Sequence, residues 1–208
     1  MLPPVDHLVY ATTDLSTGVN EIERLVGVRA TPGGKHTGRG SHNALLSLGR
    51  AMYLEIIAPD PDQPDPEHPR PFGLDTLREP RIVGWAMRTT DIERAVAEAR
   101  SAGYDPGHII SMTRAKPDGM ELRWQLTSHP HLPGDGLVPF LIHWEPGDHP
   151  SRTSPGGCAL VDLEAEHPHS ETVQPMIDAL GIDLQVTEGG RPALIATIEC
   201  PRGTVVIS

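Results

Sequence analysis

The chain predicts an α+β fold made of repeated β-α-β-β-β modules, two complete and a third partial. Three observations predict it. The tripeptide T-T-D stands at 12–14 and again at 89–91, each time between a β-prone apolar run and a helix-periodic one. Both helical runs stop at a glycine, Gly27 and Gly103. A weaker copy opens with C-A-L-V-D-L (158–163) and leads into S-E-T-V-Q-P-M-I-D-A-L-G (170–181).

In the first module, H-L-V-Y-A-T-T-D (7–14) reads as a strand running into an Asp14 N-cap. Residues 15–27 follow as a helix with Leu15, Val19, Ile22 and Leu25/Val26 along one side. Strands over 44–48 and 52–57 are joined by the tight turn Leu48-Gly49-Arg50-Ala51. In the second module, V-G-W-A-M-R-T-T-D (83–91) repeats the strand and cap, and Ile92, Ala95/Val96 and Ala99 mark the inner helix face. Its strands are expected at 121–126 and 138–144. In the third, strands at 193–198 and 204–207 flank the turn Cys200-Pro201-Arg202-Gly203, and Pro175 is tolerable only near the helix start. Proline-rich spacers at 59–72 and 146–157 read as loops or extended connectors. The organisation is thus a first module at 1–58, an acidic linker at 59–80, a second module at 81–146 and a partial third at 147–208, in one continuous unit.

A formal charge of −11 argues against a nucleic-acid or anionic-membrane partner, because it offers neither phosphate contacts nor a polybasic patch. The partner expected is a small molecule. Two cysteines without C-x-x-C read as reduced thiols. The N-terminal segment lacks a basic region followed by an apolar core, and no apolar run reaches the ~20 residues that span a bilayer. A cytoplasmic location is the expectation.

The chemistry points to His7 in V-D-H-L-V-Y-A-T and Glu55 in M-Y-L-E-I-I-A-P. An imidazole and a carboxylate are unusual inside apolar strands unless paired or metal-bound. Tyr53 and Ile57 share the Glu55 face by period two, which favours a cavity-facing carboxylate. Together His7 and Glu55 would form half of a metal site. The loop G-G-K-H-T-G-R-G-S-H (33–42) gathers Lys35, His36, Arg39 and His42. It matches no P-loop or dinucleotide fingerprint. It is either a hairpin excursion or an anion-gripping lid. Arg114 and Arg123 flank the turn K-P-D-G-M (116–120), which reads either as a solvated hairpin or as a grip for a substrate carboxylate. His68, His129, His149 and His167 precede prolines and are expected to be exposed.

The module order, the strand-borne His7 and Glu55, and the segments G-G-K-H-T-G-R-G-S-H-N-A-L-L-S-L-G, Y-L-E-I-I-A-P-D-P, P-D-G-M-E-L-R-W-Q-L-T and V-P-F-L-I-H-W resemble the vicinal oxygen chelate superfamily, and within it the glyoxalase-like domain family. The resemblance runs over about 5–207. It implies that two modules pair into a half-open barrel around a divalent metal (Zn, Ni, Mn or Fe), with ligands on the first and last strands of each. Carried over, the ligands are His7, Glu55 and His143, while Gly84 leaves the fourth position empty. Glu145 stands two residues beyond His143 as a reserve ligand or general base, and Glu55 or Glu145 would shuttle the proton. Arg39, His42 and Arg114 would hold the substrate. The implied activity is a metal-dependent lyase or isomerase acting on a small oxygen-rich metabolite, with oxygen insertion less favoured. The alternative is a metal-free protein that sequesters a small molecule, as bleomycin-resistance proteins do. The third module pairs either within the chain or with another subunit, so a homodimer stays open.

Overall fold

The computed structural model describes residues 2–49, 51–115, 121–147 and 149–208; the side chains of Arg114, Ala115 and Glu121 lie outside the description. The first strand, β1 (Val5–Ala11), runs into α1 (Leu15–Val26). Asp14 caps that helix, accepting from the Thr17 backbone N–H at 2.8 Å, and Gly27 closes it in the left-handed region at φ 79°. Strands β2 (Thr31–His36), β3 (Ser41–Ser47) and β4 (Tyr53–Pro59) complete the first module. The second repeats the order with β5 (Arg81–Arg88), α2 (Ile92–Ser101), β6 (His108–Ala115), β7 (Glu121–Ser128) and β8 (Phe140–Trp144). The T-T-D turn is the same in both copies. Thr12 and Thr89 each donate their hydroxyl to the following Asp carbonyl at 3.1 Å.

The eight strands form one sheet in the order β2-β3-β4-β1-β5-β8-β7-β6. In each half the first strand lies parallel to the last, β1 against β4 and β5 against β8, and the halves meet where β1 and β5 pair antiparallel. This is the half-open barrel of paired modules. Its convex face packs on α1 and α2 through Ile22, Val26, Leu46, Leu54, Trp85 and Leu141.

The third region contains a short helix α3 (Pro150–Thr153), β9 (Ala159–His167), α4 (Ser170–Ala179), β10 (Val186–Glu188), β11 (Ala193–Cys200) and β12 (Gly203–Ile207). It builds its own four-stranded sheet, β10-β9-β11-β12. There the opening strand pairs parallel with β10 and antiparallel with β11, so the ladder differs from that of the first two modules. Pro175 sits inside α4, not near its start. Its position is exposed, so the carbonyl that loses a partner faces water. No helix among the described residues is long and apolar enough to cross a membrane.

The segment 59–80 does more than connect. Leu74 and Leu77 are buried against Val9, Ala11, Ile57 and Val83, with Phe72 beside them. Arg70 ties the segment to the β2–β3 turn by donating Nε–H to the Gly40 carbonyl at 2.9 Å. It therefore caps one end of the concave face.

Candidate active site

An open cavity of about 1380 Å³ runs along the concave face and on to Arg191, Leu194 and Ser208 of the third region. Its wall from the first module is polar, with His7, His36, Asn43, Tyr53 and Glu55 lining it and Arg39 at its mouth. His7 and Glu55 are both buried, at 4% and 7% exposure. They face each other with Nε2 and Oε2 3.7 Å apart, beyond hydrogen-bond distance. Asn43 on β3 fixes the other carboxylate oxygen, donating its amide to Glu55 Oε1 at 2.6 Å. His36 Nε2 stands 3.6 Å from that oxygen and 3.3 Å from the Asn43 amide nitrogen.

Behind His7 lies Asp6, fully buried. Strict alternation would send Asp6 to the opposite face from His7. A bulge in the β1–β5 ladder between Val5 and His7 instead leaves Asp6 as the extra residue of the strand. Its carboxylate accepts from His7 Nδ1 at 2.9 Å, Arg88 Nε at 2.9 Å, His149 Nε2 at 3.1 Å and the Trp144 indole N–H at 3.2 Å. Burial alone would raise the Asp6 carboxyl; the hydrogen bonds from His149 and His7 outweigh it and hold the group well below the ordinary carboxylate range. Because Asp6 accepts from Nδ1, the ring nitrogen turned to the cavity is Nε2. Tyr53 stacks on the imidazole at a centroid distance of 4.6 Å and keeps the ring in that plane.

The other predicted site residues are not brought to this cluster. His143 lies on the helix-side face of β8 and donates Nδ1–H to the Thr89 carbonyl at 3.1 Å. The cavity side of that strand carries Phe140, Ile142 and Trp144. Glu145 is exposed beyond the strand end, and its backbone N–H bonds the Arg123 carbonyl. His42 alternates away from Asn43 and approaches buried Asp60, with Nδ1 and Oδ1 3.8 Å apart. Arg39 does reach the cavity mouth. The side chain of Arg114 and the turn 116–120 lie outside the described residues. His68 and His129 are exposed, as expected. His149 and His167 are not: His149 binds Asp6, and buried His167 donates from Nε2 to Asp135 at 3.0 Å while Nδ1 accepts the His169 N–H.

The two halves of the sheet can be superposed through their ladders. Val9 pairs with Glu55 in the first, and its counterpart Ala86 pairs with Phe140 in the second. The second module therefore presents Gly84 and Phe140 where the first presents His7 and Glu55. The space beside Gly84 is taken by Phe72, whose ring stands 3.8 Å from where a β-carbon would lie. Among the described residues no three His, Cys, Asp or Glu side chains are grouped to hold one metal ion. A four-donor centre shared between the modules does not fit this donor set, since two of its four positions are a glycine and a phenyl ring.

The model of the glyoxalase-like domain family matches residues 5–181. No curated protein matches the chain. Among solved structures, a hypothetical protein from Staphylococcus aureus is 16% identical with a TM-score of 0.63, over 93% of this chain and 88% of its own. The methylmalonyl-CoA epimerase of Mycobacterium tuberculosis is 21% identical, with a TM-score of 0.44 over 70% of this chain and 89% of its own. A Streptomyces coelicolor methylmalonyl-CoA epimerase is 20% identical, with a TM-score of 0.46 over 72% and 100%. At these identities the first likeness speaks to the fold alone, and the epimerase scores carry no argument about activity. With the paired modules and a family match across most of its length, the chain belongs to the glyoxalase-like domain family.

Proposed function

We propose that the protein is a small-molecule enzyme of the isomerase or lyase type that moves a proton at a carbon beside a carbonyl, without a metal-centred step. The observation that carries this reading is the line Asp6–His7–Glu55. A buried carboxylate fixes the His7 tautomer from behind, and Nε2 faces the cavity with no hydrogen bond to Glu55 across 3.7 Å. An imidazole so oriented is a general base. The C–H proton passes to His7 Nε2, the C–H electron pair becomes the enolate double bond, and the carbonyl pair moves onto oxygen. Glu55, held by Asn43, is the second group within reach to return a proton.

The test is deuterium incorporation at the carbon next to the carbonyl, followed by NMR in D2O over small 2-oxo acids and 2-oxo aldehydes. Wild-type protein should exceed the buffer rate, and His7→Ala, compared below its own melting temperature in protein that circular dichroism shows to be folded, should lower the rate about 10²–10⁴-fold. Exchange no faster than buffer, or undiminished in His7→Ala, would overturn the reading. Chelator treatment should leave exchange unchanged; loss that a divalent ion restores would return the site to metal chemistry. A second reading, sequestration of a small molecule, is favoured by Gly84 and Phe140 standing where ligands are expected. Its signature is tight binding with no exchange in any compound that binds.

A further inference from the structure

The chain has only eight Phe, Trp and Tyr residues, and five of them, Tyr53, Phe72, Trp124, Phe140 and Trp144, stand on the concave side of the sheet around this cavity. The core under the helices is mostly Leu, Ile, Val and Ala, with Tyr10, Trp85, Met52 and Cys158 inside it and Tyr104 packed against it. The five rings on the concave side are not part of that helix-side core.

The rings form a continuous wall leading to the reactive pair. Trp124 and Trp144 lie 5.2 Å apart, tilted by 38°, and Phe140 presents its ring edgewise to His7 at 5.5 Å. The Trp144 indole is anchored by Asp6, the carboxylate that also holds His7. One buried group thus sets both the base and the adjoining ring. Phe140 and Trp144 are only half-buried, which leaves ring surface turned to the cavity. With a cavity volume above the range usual for drug-sized ligands, a flat body has room beside the wall.

We infer that the ligand of this site is an aryl compound, its ring body stacked on Trp124, Phe140 and Trp144 and its oxygenated head at His7 and Glu55. The head chemistry rests on the proton-transfer reading above; the aryl body rests on the wall alone. The test uses three 2-oxo acids with one head group: phenylpyruvate, 3-cyclohexylpyruvate and pyruvate. Tryptophan fluorescence titration of the wild-type protein should show phenylpyruvate binding about tenfold or more tighter than pyruvate, and tighter than its cyclohexyl analogue. Phe140→Leu and Trp124→Leu, each keeping an apolar side chain, should reduce the aryl preference by about threefold. Equal binding of all three acids would overturn the inference, as would cyclohexyl equal to phenyl in the wild type. Phenylpyruvate that binds tightly without proton exchange would sink the proton-transfer reading and leave the aryl inference standing. Exchange of pyruvate and phenylpyruvate at equal efficiency would do the reverse.

Discussion

At the scale of single residues, Asp6 decides the most. It is an anion with no solvent exposure, and it is satisfied by four donors from β1, β5, β8 and the start of α3. Removing one partner of such a buried group leaves the others uncompensated, at a cost of about 3–5 kcal/mol. Asp6→Asn should therefore destabilise the fold by that order and also release the His7 tautomer, lowering exchange without abolishing binding. The pH dependence has a definite sign. The Asp6 carboxyl titrates lower in the folded chain than its ordinary 3.8. The stability it contributes is thus complete above that value and drains away as pH falls below it. Urea midpoints measured from pH 6 to pH 2 should fall more steeply for wild type than for Asp6→Asn. Parallel acid limbs would show that Asp6 carries no such linkage.

At the scale of elements, the module boundaries were legible and one strand register was not. T-T-D, with Asp14 and Asp91 as caps, marks both helix starts because a capping carboxylate leaves a local sequence signature. Nothing local marks where β8 begins. Reading that strand from Val138 and aligning Trp144 with Ile56 sets His143 opposite Glu55. In the structure 133–136 form a 3-10 turn, β8 starts at Phe140, and the ladder sets Phe140 there instead. An offset of three residues is odd, so it moves the side chain to the other face of the sheet. Asp6 was hidden for a related reason: only the bulge opposite β5 brings it behind His7, and a bulge depends on the partner strand. The register carries its own test. His143→Ala should change exchange and ligand affinity by less than about twofold. It should cost about 0.5–1.5 kcal/mol, the value of one half-buried hydrogen bond to the Thr89 carbonyl. An activity loss matching that of His7→Ala would mean that His143 works in the cavity after all.

At the scale of the whole molecule, the third region is welded to the first two modules by core and backbone alike. Leu160, Leu163, Ala196 and Ile198 belong to the same apolar cluster as Ile22, Trp85 and Leu137. The Leu160 N–H donates to the Leu48 carbonyl at 3.1 Å, the Ser47 N–H to the Pro155 carbonyl at 2.9 Å, and Arg202 to the Arg24 carbonyl at 2.8 Å. Two sheets that share one core should unfold in one cooperative step, with no state in which the half-barrel stands alone. The chain supplies a reporter for each part. All three tryptophans lie in the eight-stranded sheet, on β5, β7 and β8. Cys158 opens the third region, buried, its thiol pushed up to about 11 by burial and by the neighbouring Cys200. In a Cys200→Ser background Cys158 is the sole thiol, unreactive until that region opens. Tryptophan fluorescence and Cys158 labelling should then report the same urea midpoint, within about 0.2 M. Labelling that begins well before the fluorescence change would mean that the third region opens separately. The connector carrying His149 to Asp6 would then be the hinge between two units, and the geometry of His7 would depend on their docking.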